Sequence, residues 1–393
     1  MAFKKQNENI NRLYVDYDTI DQHVGGRLWL WGSNYYGMLG TNDTDNRSSP
    51  VQTIAGGTNW KSIACSQGHV VAIKTDGTLW GCGRGGFGEL GDNIPINKSS
   101  PVQTVTGGTN WKQVSAKNYH TCAIKTDGTL WGWGTNSSGQ LGTNETATKY
   151  SPIQTVAGGT NWKLVNCGRF TTAAIKTDGT LWTWGNNTNG QLGTNDLTSR
   201  SSPAQTVASG NNWKLVNSGW YHIGAIKTDG TLWLWGQNDS GALGTNNTTN
   251  RSSPVQTIAG GTNWKQVSCG YRATAAIKTD GTLWLWGGNA YGSLGTNDIT
   301  SRSSPTQVIT GGTDWKQVAT SGKHTAAVKT DGTLWVWGSN ASGELGINNL
   351  DDFAKSSPVQ TIKAGNSWKS VACWTDNGSG FGVTVATTFS DID

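Results

Sequence analysis

Four histidines stand at one recurring place in the chain: His69, His120, His222 and His324 each fall nine residues after a tryptophan of a repeated segment. Imidazole is the side chain best suited to moving protons near neutrality and to binding transition metals. Either chemistry needs several groups to converge, and a residue that recurs once per repeat is spread apart by the repeat itself. No catalytic residue, metal site or cofactor is therefore assigned. The short patterns of nucleophilic, phosphate-binding and metal chemistry are also missing, with no G-x-S-x-G, H-E-x-x-H or Cys-x-x-Cys. Among the six cysteines, Cys65, Cys167, Cys269 and Cys373 stand five residues after a repeat tryptophan, where other repeats carry Ala116, Ser218 and Thr320. A place that accepts Cys, Ala, Ser or Thr reads as a tight buried site rather than a disulfide framework. Cys82 replaces a motif tryptophan, and Cys122 an alanine.

The elements that carry these residues are repeats. KTDGTLWLWG, at Lys227 to Gly236, recurs with its lysine at Lys74, Lys125, Lys176, Lys227, Lys278 and Lys329, a constant step of 51 residues. A seventh copy, Gly25 to Gly32, has lost the Lys and Asp-Gly but keeps Trp29 in phase, 51 residues before Trp80. Asp-Gly between apolar, β-branched runs is a strong hairpin signal and predicts a type I′ turn. The alternating Leu and Trp after it predict a strand with at least one buried face. From Trp111 one whole unit reads WKQVSA, TCAIKT, TLWGWG and SPIQTV, four strands per repeat, which is the make-up of a propeller blade.

Composition agrees. Charged residues are only 14% of the chain, against roughly 25% in ordinary soluble domains, and the net charge is +5. The 22 tryptophans, mostly at fixed repeat positions, are core by default, each contributing about 2–3 kcal/mol of gross burial. No apolar run approaches the roughly 18–20 residues of a membrane span, and the first residues lack the apolar core of a signal peptide.

The ends predict closure. The chain opens on a third strand, Arg27 to Gly32, and a fourth, Val51 to Ile54, and finishes on a first, Lys369 to Cys373, and a second near Gly382 to Thr387. The fold class is thus all-β: a seven-bladed β-propeller of four-stranded antiparallel blades on a 51-residue repeat, the last blade closed by N- and C-terminal strands. Residues 1–24 match no repeat and form an arm, suited to anchoring or to lying along the propeller. Residues 25–388 are the propeller, residues 376–380 a loop within it, and residues 389–393 a short tail.

The pattern LWxWGxNxxGxLG, a Ser-Pro strand, an element such as Gly322-Lys323-His324-Thr325 and the Asp-Gly turn together resemble the regulator of chromosome condensation type repeat. The resemblance covers about residues 25–388 and implies a seven-bladed propeller in which the recurrent histidine has a structural, hydrogen-bonding role. Members of that family act as exchange factors on small GTPases, as inhibitors of secreted enzymes and as domains of larger proteins. The near-identical loops are also similar to repeat proteins of tailed bacteriophages.

Strand order separates two faces. The Asp-Gly turns and interblade connections share a monotonous one, pairing each Lys with a nearby Asp. The opposite face varies and carries Tyr35, Tyr36, Phe87, Tyr119, Phe170, Trp220, Tyr221, Tyr271, Tyr291 and Trp374 in small polar loops. Rigid aromatics there give contact area at low entropy cost, unless they fold back over their own blades. A basic ring, Arg47, Lys98, Lys149, Arg200, Arg251, Arg302 and Lys355, precedes the Ser-Pro strands, with acids in the same loops that favour local salt bridging over phosphate or nucleic-acid binding.

These features are read as a non-enzymatic recognition or structural protein. The first expectation is a phage virion component, a tail or head fibre or adhesin made in the host cytoplasm. Its arm joins other virion proteins and its variable face meets a host surface glycan or protein. The alternative is an intracellular or exported interaction propeller of the enzyme-inhibitor or exchange-factor type. An enzyme working at the central channel would instead need converging carboxylates or histidines, which the repeats do not supply.

Overall fold

Each Lys-Thr-Asp-Gly-Thr copy closes a hairpin by a relay of side chains. In the first, Asp76 Oδ1 accepts from the Thr78 amide (2.9 Å) and hydroxyl (2.6 Å), and Thr78 Oγ1 accepts from Trp80 Nε1 (2.8 Å). These bonds hold the Asp76 carboxyl below its usual range, and the same relay recurs from Asp127 to Trp131 through to Asp331 to Trp335. The turn is not the expected type I′. Lys74 O accepts from Gly77 N at 2.9 Å, and only Gly77, at φ +79°, takes the left-handed conformation while Asp76 does not. That is a type I turn followed by a left-handed glycine, which leaves the Asp carboxylate free to cap the next strand.

The motif lysine also differs from expectation. Lys74 Nζ lies 4.8 Å from the centroid of Trp60 and 4.5 Å from that of Trp80, and Lys125, Lys176, Lys227, Lys278 and Lys329 repeat this position between two tryptophans. Its aliphatic stem and cation cover indole faces. Of the six, Lys329 also reaches a carboxylate among the described residues, Asp314 at 3.2 Å.

The computed structural model describes residues 25–389 except 107, 209, 350–353, 363–364 and 376–381. Among these, the strands form seven four-stranded antiparallel sheets. Blade 1 is Trp60–Cys65, His69–Lys74, Leu79–Gly83 and Lys98–Gln103. Blades 2 to 6 repeat it, beginning at Trp111, Trp162, Trp213, Trp264 and Trp315. Blade 7 is composite: Trp368–Thr375 and Gly382–Thr388 are completed by Leu28–Gly32 and Arg47–Gln52. Leu28 pairs with Thr387 and Gly32 with Val383, so the two ends of the chain close the ring as expected. The outer strand begins at Arg47, earlier than the predicted Val51, because Ser48-Ser49-Pro50 is already extended. The arm, the 376–380 loop and residues 390–393 lie outside the described residues.

One knot of hydrogen bonds joins blade to blade. Glu89 O, in a loop of blade 1, accepts from both Trp133 Nε1 (2.8 Å) and Thr121 Oγ1 (2.9 Å) of blade 2. Thr121 Oγ1, its proton so committed, accepts from His69 Nε2 of blade 1 at 2.9 Å. Corresponding knots use His120, Thr172 and Gln140 O; His222, Thr274 and Ala242 O; and His324, Thr384 and Glu344 O. Where Cys82 replaces the indole, its Sγ reaches the equivalent carbonyl of Met38 at 3.3 Å. Close approach in these loops requires glycine: a Cβ on Gly37, at φ +77°, would lie 2.5 Å from Ser99 Cα of the next blade.

Candidate functional site

The first strands of the blades stand innermost and surround an axial cavity of about 180 Å³. Its lining includes Cys65, Cys167, Cys269 and Cys373 but neither carboxylate nor histidine among the described residues. Lys117 crosses this channel from blade 2: its Nζ donates to Ser218 O of blade 4 (2.7 Å) and Cys269 O of blade 5 (2.9 Å). Burial pulls its ammonium below the usual lysine range. This crossing joins residues more than a hundred positions apart, and no local pattern announces it.

Around the axis the variable loops build two clusters. In the first, Arg84 lies over Tyr119 (4.2 Å), Phe87 (4.6 Å) and Tyr36 (5.4 Å), and its Nε is 3.3 Å from the carboxylate of Glu89. Burial raises Glu89 above the usual carboxylate range, with Arg84 acting in the opposite direction. Tyr35 packs edge-on against Tyr36 at 4.9 Å. In the second, Arg169 lies over Trp220 (4.5 Å), Phe170 (4.8 Å) and Tyr221 (5.2 Å). Trp220 meets Tyr271 at 4.8 Å, and Arg272 covers Tyr271 and pairs with Asp239 at 3.1 Å. Lys323 over Tyr291, at 5.2 Å, extends the same arrangement.

Two of the ten candidate rings are corrected by this geometry. Trp220 and Trp374 are only 4% and 2% exposed, because both join the apolar cluster that also holds Trp60 and Cys65. They brace the face instead of presenting themselves from it. Tyr35 (61%), Phe87 (41%) and Tyr291 (42%) are open to solvent. Tyr36, Tyr119, Phe170, Tyr221 and Tyr271 are half-buried around the cations. Sequence reasoning missed Arg84, Arg169, Arg272 and Lys323. Their signal is visible in retrospect: Arg84 and Arg169 are lone cations in repeat columns that elsewhere hold uncharged residues, and Arg272 and Lys323 share one column in which other repeats carry Gly68, Tyr119, Phe170 and Tyr221.

The basic ring is largely neutralised where it stands. Arg47 pairs with Asp43 (2.7 Å), Lys98 with Asp92 (3.8 Å), Lys149 with Glu145 (2.7 Å), Arg200 with Asp196 (2.6 Å) and Arg302 with Asp298 (2.6 Å). At Arg251 the residue four positions earlier is Asn247, and no acid reaches this guanidinium among the described residues. Lys355 completes the ring at the start of the outer strand of blade 6.

The histidine column gives no cluster on its own, but strand packing brings in a second column. His120 and Cys122 of blade 2 and Cys167 of blade 3 place their donor atoms within 4.8 Å of one another, all buried. The separation of 45 residues between Cys122 and Cys167 hides this meeting in a reading of single repeats.

Comparison with known proteins agrees with this architecture. The model of the RCC1-like domain matches residues 96–386, and that of the regulator of chromosome condensation (RCC1) repeat matches residues 25–73. The chain belongs to the RCC1-like family. The Ultraviolet-B receptor UVR8 of Arabidopsis thaliana is 32% identical over 335 residues, covering 84% of this chain and 76% of that protein. The human E3 ubiquitin-protein ligase HERC2 is 26% identical over 382 residues, 93% of this chain but only 8% of that protein. Among solved structures, yeast RCC1 (Prp20) bound to Kap60 superposes with a TM-score of 0.80 at 18% identity, covering 99% of this chain and 96% of that one. Human WBSCR16 gives 0.79 at 22% identity, with 94% of this chain and all of that one covered. For an RCC1-like chain, these structural likenesses speak to fold alone.

Proposed function

We propose that this RCC1-like propeller is a non-enzymatic protein-interaction module that binds an acidic protein surface through its variable face. The observation that carries the reading is the arrangement of Arg84, Arg169 and Arg272 over half-buried rings, with Tyr35, Phe87 and Tyr291 open beside them and Lys323 buried beneath Tyr291. Arginine and aromatic anchors on a rigid frame are the side chains that dominate protein interfaces. Arg84 and Arg272 already face Glu89 and Asp239, so a partner's carboxylate would share or displace those pairs, and guanidinium groups held over rings lose little further freedom in doing so. The relatives named above support the interaction-propeller alternative over a phage virion adhesin, whose expected anchor, residues 1–24, lies outside the described residues.

The test is affinity capture from cells of the source with the immobilised propeller, run beside a Tyr35→Ala/Phe87→Ala/Tyr291→Ala variant and an Ile54→Ala/Ile258→Ala control in exposed residues outside the aromatic clusters. The expected outcome is one partner whose capture falls at least tenfold with the triple variant, weakens in salt and is unchanged by the control. Equal capture by all three proteins, or glycan binding with no protein captured, would reject this reading.

A further inference from the structure

The seven blade junctions are built alike, each packing the second strand of one blade on the first strand of the next. Three columns of side chains meet there: the histidine column, the residue two positions later, and the small residue five positions after the next blade's tryptophan. At the junction of blades 2 and 3 these are His120, Cys122 and Cys167. Other described junctions offer His69, Val71 and Ala116, or His324, Ala326 and Cys373, and none unites an imidazole with two thiols. The second and third columns touch. At the equivalent place between blades 4 and 5, a Cβ on Gly224 would lie 3.0 Å from Cys269 Sγ.

The imidazole presents a suitable atom. Thr172 Oγ1 is 3.2 Å from His120 Nε2 and 3.8 Å from Cys122 Sγ, so Nε2 and the Cys122 thiol flank the same hydroxyl. The other nitrogen is anomalous. In blades 1 and 6 the Nδ1 atoms of His69 and His324 meet the hydroxyls of Ser66 (2.5 Å) and Ser321 (3.1 Å). In blade 2 the serine's place is taken by Lys117, whose Nζ goes to Ser218 O and Cys269 O. His120 Nδ1 is left buried with no hydroxyl partner and only a poorly directed contact to the Lys117 backbone. A buried polar atom in that state is costly in the metal-free form.

We propose that His120, Cys122 and Cys167 form a site for a thiophilic divalent d¹⁰ ion of the zinc type, with Thr172 Oγ1 a neighbouring oxygen for a fourth position. One imidazole and two thiolates are a donor set that such ions select. The charges also decide for a divalent ion: two thiolates and a neutral imidazole balance it completely, whereas a monovalent ion would leave a net charge in an apolar junction. On binding, the metal takes the Nε2 lone pair and the tautomer shifts so that Nδ1 carries the proton toward the Lys117 backbone, an outer contact common for metal-bound histidine. The two thiol protons leave to solvent. Burial keeps Cys167 well above the usual thiol range, so its proton stays in place until a metal displaces it.

The donor atoms are closed off from water, so the experiment refolds the full chain from denaturant with zinc or cobalt(II), removes loose metal by gel filtration and measures what remains. The proposal expects about one tightly held ion per chain, a sulfur-to-cobalt charge-transfer band in the near ultraviolet and a raised melting temperature. Cys122→Ala, the residue found there in blades 3, 5 and 6, should hold none while folding normally. Cys167→Ser, which matches Ser218, is a second variant with the same expectation. Wild-type chain that folds without metal or cobalt band, retention equal in the variants, or an oxidised Cys122–Cys167 pair with no metal would each overturn the proposal.

Discussion

At the scale of residues, the recurrent histidine is explained by what its neighbours have already given away. Thr121, Thr172, Thr274 and Thr384 each donate a hydroxyl proton to a loop carbonyl and can only accept from the imidazole. Nε2 therefore carries a proton, and burial keeps the rings neutral by lowering His69, His222 and His324 to about 3 and His120 to about 4. The sign of the consequence follows from proton counting. Unfolded histidines titrate near 6.5, so between about pH 6.5 and 4 the unfolded chain binds protons that the folded chain refuses, and stability falls as pH falls. Each histidine contributes a slope of up to about 1.4 kcal/mol per pH unit in that window. Urea denaturation at pH 7 and pH 5 should show a large drop in midpoint, and His222→Gln should make the drop smaller. An unchanged midpoint would mean that the rings are charged in the fold.

At the scale of elements, much was legible. The 51-residue step, the four strands and the closing of blade 7 by both chain ends all follow from spacing and alternation, because blades 1 to 6 each take their four strands from one continuous stretch and blade 7 takes what the two ends leave over. The turn type was not legible, since Asp-Gly serves two hairpin classes and the choice depends on the Asp76 to Thr78 to Trp80 relay. The burial of Trp220 and Trp374, the reach of Lys117 and the meeting of Cys122 with Cys167 were also hidden. Each depends on which residue of another blade lies opposite, and one repeat holds no information about that. The turn geometry gives a direct comparison. Gly77 takes φ +79°, and a Cβ there would be 2.1 Å from Thr109 O, while Gly56 takes φ +51° with nothing within 4 Å. Gly56→Ala should cost about 1 kcal/mol, the price of the left-handed backbone alone, and Gly77→Ala more than about 2 kcal/mol because the interblade connection must also move. Equal costs in urea denaturation would show that this connection yields freely.

At the scale of the whole molecule, a ring built from nearly interchangeable units has placed its differences on one face. Indole and threonine donors converging on single carbonyls lock blade to blade, and Lys117 ties blade 2 to blades 4 and 5 across the axis. The frame is thus rigid where the face needs support, and the clusters centred on Arg84 and Arg169 are held by residues from adjacent blades. The most direct measurement of the central claim is hydroxyl-radical footprinting of the propeller alone and in complex with its captured partner. The account predicts protection of Tyr35, Phe87 and Tyr291, with little change at Ile54 and Ile258. Protection confined to Ile54, Ile258 and the Asp-Gly turns, with Tyr35, Phe87 and Tyr291 as reactive as in the free protein, would contradict it.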